Sequence, residues 1–345
     1  LSLALGGREE TETMLVVKLG GGAGMDIDAC VHDIAALWRE GQRMVVLHGG
    51  ADETSELGER LGHPPRFVES VSGMRSRYTD RPTLEMLAMA CAGRRNVTMV
   101  ETLQRAGVNA VGLAGVDGAV LRGPRKTAIT VVEDGRRRVI RDDLSGKVTE
   151  VNTHLLHLLL AGGYLPVLCP PALSTEGQAM NIDGDRAAAA VASALHAEAL
   201  VLLTDVPGLL RDRANPESLV ETIELPEMEQ AMKLASGGMR KKLLGAQEAV
   251  TGGVRQVILG LGRGANPLRH ALAGHGTCIA APSGEALFVD QEAAARSSSQ
   301  PVLSPRSATE EQAPHAVSVG ALDPAWPAGD DRSVMTAGVR EGRRG

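Results

Sequence analysis

Aromatic side chains are nearly missing from this chain: two Trp, two Tyr and two Phe among 345 residues, 2% in all. A single-strand nucleic-acid platform interleaves aromatics with basic residues, so composition speaks against one. A purine bound here has to stack on aliphatic side chains and backbone. Cysteine is just as sparse. Cys30, Cys91, Cys169 and Cys278 stand far apart with no C-x-x-C pair, which argues against zinc and against a disulfide framework and reads as small buried hydrophobes in a reducing cytosol. Positive charge is not in excess: the formal net charge of -6 offers no general nucleic-acid surface. No apolar run approaches the roughly 18 residues of a membrane span. Leu1 to Thr13 lack the basic start and apolar core of a signal peptide. Two nucleotide motifs are also missing. No G-x-x-x-x-G-K-[ST] string occurs, and a dinucleotide fingerprint built on Gly20 and Gly22 meets Met25 where its third glycine belongs.

What remains is a chain rich enough in apolar residues, at 43% hydrophobic and 23% charged, for one large α/β unit or two lobes. The ordered domain is expected to begin near Met14. From about Ala281 to Gly345 the chain turns Ser-, Pro-, Ala- and Gly-rich, as in Ser297-Ser298-Ser299-Gln300-Pro301, and is expected to be a disordered tail because it buries too little apolar surface to offset its ordering entropy. Between these ends, strands and helices alternate. Met14 to Leu19 is a nearly continuous apolar run of the central parallel type. Asp26 can cap the next helix, whose Ile27, Val31, Ile34 and Trp38 share a face. Further strands are expected at 44–47, 165–168, 199–203 and 254–259, and helices to about Leu61, over 83–106, 151–161, 185–196 and 239–251. Two short strands flank Asp134-Gly135, a two-residue hairpin signal because that pair accepts positive φ. This alternation predicts a three-layer αβα sandwich around a mainly parallel open sheet, with an added β-hairpin section.

Ligands in such sheets sit beyond the carboxyl ends of the strands. Those ends carry Gly20-Gly21-Gly22, His48-Gly49-Gly50, Asn181 to Asp185 and Thr204-Asp205, so the glycine and polar clusters are expected to meet on one rim. Glycine turns without Cβ atoms let backbone N–H groups approach a phosphate. Lys18 and Lys242, with the carboxylates of Asn181-Ile182-Asp183-Gly184-Asp185 between them in sequence, suit phosphoryl transfer, which asks for positioning and charge neutralisation. Each residue has a plainer use: a lysine ending an apolar run that snorkels to water, Asn181 or Thr204 as turn residues, Asp185 as a helix cap. It is the combination that speaks for chemistry.

In order along the chain, Val17-Lys18-Leu19-Gly20-Gly21, His48-Gly49-Gly50, Met180 to Asp185, Leu203-Thr204-Asp205-Val206-Pro207-Gly208-Leu209 and Gly238-Met239-Arg240-Lys241-Lys242 resemble the amino acid kinase family, and within it the N-acetylglutamate kinase branch. The resemblance spans about Met14 to Ala280. It implies a two-lobed enzyme that uses ATP and Mg²⁺, with an acyl-acceptor lobe over 14–170 and an ATP-binding lobe over 171–280. Lys18 and Lys242 would bracket the moving phosphoryl group while Asp185 orients both. Gly21 and Gly49 would supply backbone donors, with Gly20 in the same turn. Asn181 and Gly50 would hold the amino-acid end of the acceptor, and Thr204 and Asp205 would lie near the nucleotide. A homodimer is implied as well.

Departures from the branch pattern narrow it. The usual H-G-G-G-P reads His48-Gly49-Gly50-Ala51-Asp52 here. Gly62 to Phe67, Ser76-Arg77-Tyr78-Thr79-Asp80-Arg81 and Arg125-Lys126-Thr127-Ala128 are more similar to carrier-dependent members, which phosphorylate 2-aminoadipate held on a small acidic carrier protein, LysW. Arg122, Arg125, Lys126, Arg136, Arg137, Arg138 and Arg141 crowd the hairpin section of an otherwise acidic chain. Such a local positive face suits docking of an acidic carrier, though charged hairpin edges also discourage aggregation. A substrate-binding arginine is implied at Arg75 or Arg77, and the resemblance does not choose. Phosphorylation of free N-acetylglutamate and a non-catalytic amino-acid or nucleotide sensor on the same fold stay open as alternatives.

Overall fold

The computed structural model describes residues 13–282 apart from Ala23, Ser72 and Asp134. The expected tail beyond 282, the segment before 13 and Asp134 of the hairpin signal lie outside the described residues.

The strand Met14–Leu19 lies between two parallel neighbours, Ala199–Thr204 and Arg43–His48. With both faces covered, it has no reason to alternate apolar with polar, and its one charged residue, Lys18, needs a special partner. Eight strands make the sheet, in the order Thr222–Glu224, Thr277–Ala280, Gln256–Leu261, Ala199–Thr204, Met14–Leu19, Arg43–His48, Leu165–Cys169, Ala110–Ala114. All pairs are parallel except Gln256–Leu261 with Thr277–Ala280.

Successive side chains of a strand point to opposite faces, and two cores result. Val16, Leu200 and Leu202 face the helices Thr153–Ala161, Gly184–Ala194 and Gly237–Thr251, packing on Leu156, Ala188, Val191 and Leu243. Val17, Leu19 and Val201 face the helices Ile27–Arg39, Val97–Arg105 and Pro267–Leu272, through Val31, Ile34, Leu103 and Leu268. Lys18, two residues after Val16, therefore points to the first of these layers. All four cysteines are free thiols, and burial pushes Cys30, Cys91 and Cys169 up to about 12, so they behave as the inert small hydrophobes their scatter implied.

Two features depart from the sequence reading. A five-stranded sheet, ordered Glu150–Val151, Leu121–Gly123, Ala172–Ser174, Ala179–Ile182, Ser145–Gly146, stands beside the main one, and Asn181 belongs to it rather than to a main-sheet strand end. Its strands are two to four residues long, too short to show a period. The helix expected over 83–106 is Arg81–Ala88, a π-helical stretch Met89–Asn96 and Val97–Arg105 in succession. The widened turns bring two polar side chains inward, Arg95 and Asn96, both buried. The basic hairpin forms as expected: Ile129–Glu133 pairs with Arg136–Ile140 in a register that leaves two residues at the turn, with Gly135 at φ 72°.

Candidate active site

Lys18 and Asp185 are both buried, 6% and 7% exposed. The Lys18 ammonium lies 2.6 Å from Asp185 Oδ1, and Lys242 Nζ donates to Asp185 Oδ2 at 3.0 Å. Two lysines far apart in sequence thus share one carboxylate. Local rules put Asp185 there. Asp183 caps the helix Gly184–Ala194, accepting from the N–H groups of Asp185 and Arg186, which places Asp185 in the first helical turn. Gly184 sits close under the Lys18 stem: a Cβ there would lie 3.4 Å from Lys18 Cε. Lys242 arrives on the helix Gly237–Thr251, and Gly245, one turn further on, lets that helix press on the Asp185 backbone.

Burial by itself would raise the Asp185 carboxyl, but the Lys18 and Lys242 charges and their hydrogen bonds outweigh it and hold it below the usual carboxylate range. Burial lowers the Lys18 ammonium, against the opposing pull of Asp185. Asp185 is therefore a fixed anion rather than a base, and its two partners are aimed by it.

Around this cluster the glycine turns meet. A Cβ on Gly21 would stand 3.4 Å from the Ala51 nitrogen and 3.7 Å from the Gly50 nitrogen, so the first turn rests on the second. His48 is buried, and its Nδ1 lies 2.8 Å from the Gly49 carbonyl. Burial is the main cause that pulls His48 down to about 4, so the ring is neutral at pH 7 and Nδ1–H is its donor. Gly50 has no room for a side chain, because a Cβ would stand 2.6 Å from Cys91 Sγ.

On the other side, a cavity of about 350 Å³ is lined by Thr204, Asp205, Gly208, Arg213, Gly238 and Lys242, among others. The helix Gly237–Thr251 opens into it without a side-chain cap from Ser236, leaving first-turn N–H groups for an anion. Thr204 donates to Asp205 at 3.0 Å, and the Asp205 carboxylate reaches the first glycine turn, 3.5 Å from where a Gly22 Cβ would be. Among the described residues no three His, Cys, Asp or Glu side chains gather as a metal cage. One carboxylate, Asp205, on the cavity with the open helix end would suit Mg²⁺, which keeps waters and takes phosphate oxygens as ligands.

A chain of bonds ties together the residues expected to hold the acceptor. Arg77 Nη2 donates to both Ala51 O and Ser55 Oγ at 2.8 Å, leaving the rest of its fork for a carboxylate. Two residues on, Thr79 Oγ1 accepts from Asn181 Nδ2 at 2.9 Å. Both guanidinium groups lie over the Phe67 ring, Arg75 at 4.4 Å and Arg77 at 5.1 Å, but Arg75 is exposed and Arg77 half-buried. Arg77 thus reaches the residue that follows Gly50, and Asn181 is tied to Thr79 two residues beyond Arg77, while Arg75 is exposed. The residue that sequence reasoning passed over is Arg95. Its signal was the polar run Gly93-Arg94-Arg95-Asn96 inside an otherwise apolar helical face.

A mainly parallel αβα sheet with a lysine–aspartate–lysine cluster beside two glycine turns and a cavity at an open helix end has the make-up of a phosphotransferase. The chain belongs to the amino acid kinase family, which residues 13–260 match. It is similar to [LysW]-aminoadipate kinase of Deinococcus radiodurans, 51% identical over 77% of this chain and 91% of that protein, and to that of Thermus thermophilus, 49% identical over 77% and 100%. Acetylglutamate kinase of Methanopyrus kandleri is 36% identical over 77% of this chain and 100% of that one. Among solved structures, smu.665 from Streptococcus mutans UA159 superposes with a TM-score of 0.61 at 25% identity, covering 78% of this chain and 98% of that one. No described helix is long and apolar enough to cross a membrane.

Proposed function

We propose that this enzyme uses ATP, with Mg²⁺, to phosphorylate the side-chain carboxylate of 2-aminoadipate carried on a small acidic amino-group carrier protein, giving an acyl phosphate. The observation that carries the reading is the sharing of Asp185 by Lys18 and Lys242 beside the glycine turns. Identity near 50% to two [LysW]-aminoadipate kinases supports the choice of acceptor.

The acceptor carboxylate is already ionised at neutral pH, so the reaction needs no general base, and the cluster offers none. A carboxylate oxygen forms the new bond to the terminal phosphorus while the bond to the bridging oxygen of ADP breaks. Two anions must approach, and a pair of unit charges at 4 Å repels by about 4 kcal/mol at the effective dielectric of a partly buried site. Lys18 and Lys242 offset this repulsion from two sides. The N–H groups of the glycine turns and the open helix end at Gly237 add fixed dipoles that need no reorganisation. Mg²⁺ bound near Asp205 would neutralise phosphate charge. Arg77, rather than Arg75, pairs the α-carboxylate, with Asn181 and Gly50 beside it. The amino group of the substrate must be masked, because a free amine in the same molecule would attack the acyl phosphate and close a lactam. An acetyl cap or a carrier serves equally, which keeps phosphorylation of N-acetylglutamate as the second reading. Residues 14–170 are taken as the acceptor lobe and 171–280 as the nucleotide lobe, in a homodimer acting in the cytoplasm.

Incubation with ATP, Mg²⁺ and either carrier-bound 2-aminoadipate or free N-acetylglutamate, with hydroxylamine to trap the acyl phosphate as a hydroxamate, separates the two. Lys18→Ala and Lys242→Ala are each expected to lower kcat by orders of magnitude with the fold intact. Near-normal turnover in either variant would remove the mechanism.

A further inference from the structure

The π-helical stretch Met89–Asn96 buries one guanidinium that touches the first glycine turn and pairs with the helix that follows the second. Arg95 Nη2 donates to the Gly20 carbonyl at 3.1 Å, and Nη1 pairs with Glu53 in the first turn of the helix that follows Gly50. The Gly20–Gly21 peptide is trans. In a trans peptide the carbonyl and the next N–H share a plane and point in opposite directions, so whatever holds the Gly20 carbonyl also sets the direction of the Gly21 N–H. The preceding peptide is tied too, by Gly20 N–H donating to Leu203 O at 2.9 Å. The Gly21 N–H has no protein acceptor among the described residues. Two adjacent glycines could otherwise turn this plane at little steric cost. A buried cation that costs several kcal/mol to desolvate when unpaired, set in a π-helical irregularity of a kind common at functional sites, needs more explanation than packing alone.

We propose that Arg95 is a positioning residue: by pinning the Gly20 carbonyl it aims the Gly21 N–H at the transferred phosphoryl group, and through Glu53 it holds the two glycine turns in register. The proposal rests on the kinase reading above. It differs from a purely structural ion pair in what its loss should move. Arg95→Lys keeps a cation for Glu53 but loses the flat fork that lets one side chain serve Glu53 and Gly20 at once.

The test compares the wild-type enzyme with Arg95→Lys and with the neutral double variant Arg95→Met, Glu53→Gln. It follows thermal melting, KM for the acceptor, kcat, and affinity for ADP alone against ADP with aluminium fluoride, which mimics the phosphoryl group in flight. For Arg95→Lys, melting, acceptor KM and ADP affinity stay within about 2-fold of wild type, while kcat and the ADP–aluminium fluoride affinity fall together by roughly 10-fold to 100-fold. The double variant, which no longer buries an unpaired charge, keeps its fold and shows the same split. Wild-type kcat in Arg95→Lys overturns the proposal, as does an equal loss of affinity for ADP with and without fluoride, the mark of a merely structural role. If the wild-type enzyme forms no hydroxamate with either acceptor, the kinase reading fails and takes this inference with it; if it does and the variants match it, only the inference fails.

Discussion

His48 shows how much a single buried side chain records about its surroundings. Its Nδ1 meets the Gly49 carbonyl, and burial, with Arg95 and Lys18 adding positive charge nearby, takes its pKa from 6.5 to about 4. Between those values the unfolded chain binds the proton and the folded one does not. Stability therefore rises with pH across that window, by about 1.4 kcal/mol per pH unit for one such group, and is lost as pH falls from about 6.5 towards 4. His48→Asn should flatten that part of the denaturation-against-pH curve relative to wild type; an unchanged slope would mean the ring is solvated. At this scale sequence reasoning reached Lys18, Asp185 and Lys242 through their combination, since each alone has a plainer use, and the structure brings the three together. It could not separate Arg75 from Arg77. Both sit on one short strand two residues apart, and the choice depends on which of them the curl of the chain brings to Ala51.

Among elements, the contact that matters most for the site is between the helices Gly184–Ala194 and Gly237–Thr251. A Cβ at Gly245 would stand 3.2 Å from the backbone carbon and oxygen of Asp185, a tight contact that one helix relieves only by giving a few tenths of an ångström. Gly245→Ala should wedge the helices apart, cost on the order of 1–3 kcal/mol by overpacking, and lower kcat more than a comparable destabilisation elsewhere, because Lys242 rides on the displaced helix. Denaturant unfolding and single-turnover rates on the same variant would check it; a loss of stability with kcat unchanged would show that Lys242 keeps its place by flexing. The long elements were legible from period and capping, as with Asp26, which accepts from Ala29 N–H at 2.9 Å. The π-helical turn was not. An α-helix and a π-helix share their residue preferences, and only the inward pull of Asn96 on Val167 O and of Arg95 on Gly20 O selects the wider turn.

On the scale of the whole molecule, a chain with net charge -6 carries a hairpin whose Arg136, Arg137 and Arg138 are exposed. Glu133 is held there by Arg66 and Arg138, so Arg136 and Arg137 are the cleaner probes of docking. Arg136→Glu with Arg137→Glu should raise KM for the carrier-bound acceptor several-fold, more at low salt, with KM for ATP unchanged. Equal KM values for the carrier conjugate in both proteins would discard the hairpin as its landing surface. The amino-acid sequence alone determined the αβα architecture, the family and the residue types of the chemistry, because strand and helix periods and glycine turns are local properties. Only the tertiary structure decided that Asp185 is shared between two lysines, that Arg77 rather than Arg75 lies by the second glycine turn, and that Arg95 reaches Gly20. Those contacts join residues far apart in sequence, and their distances are set by packing rather than by any local preference.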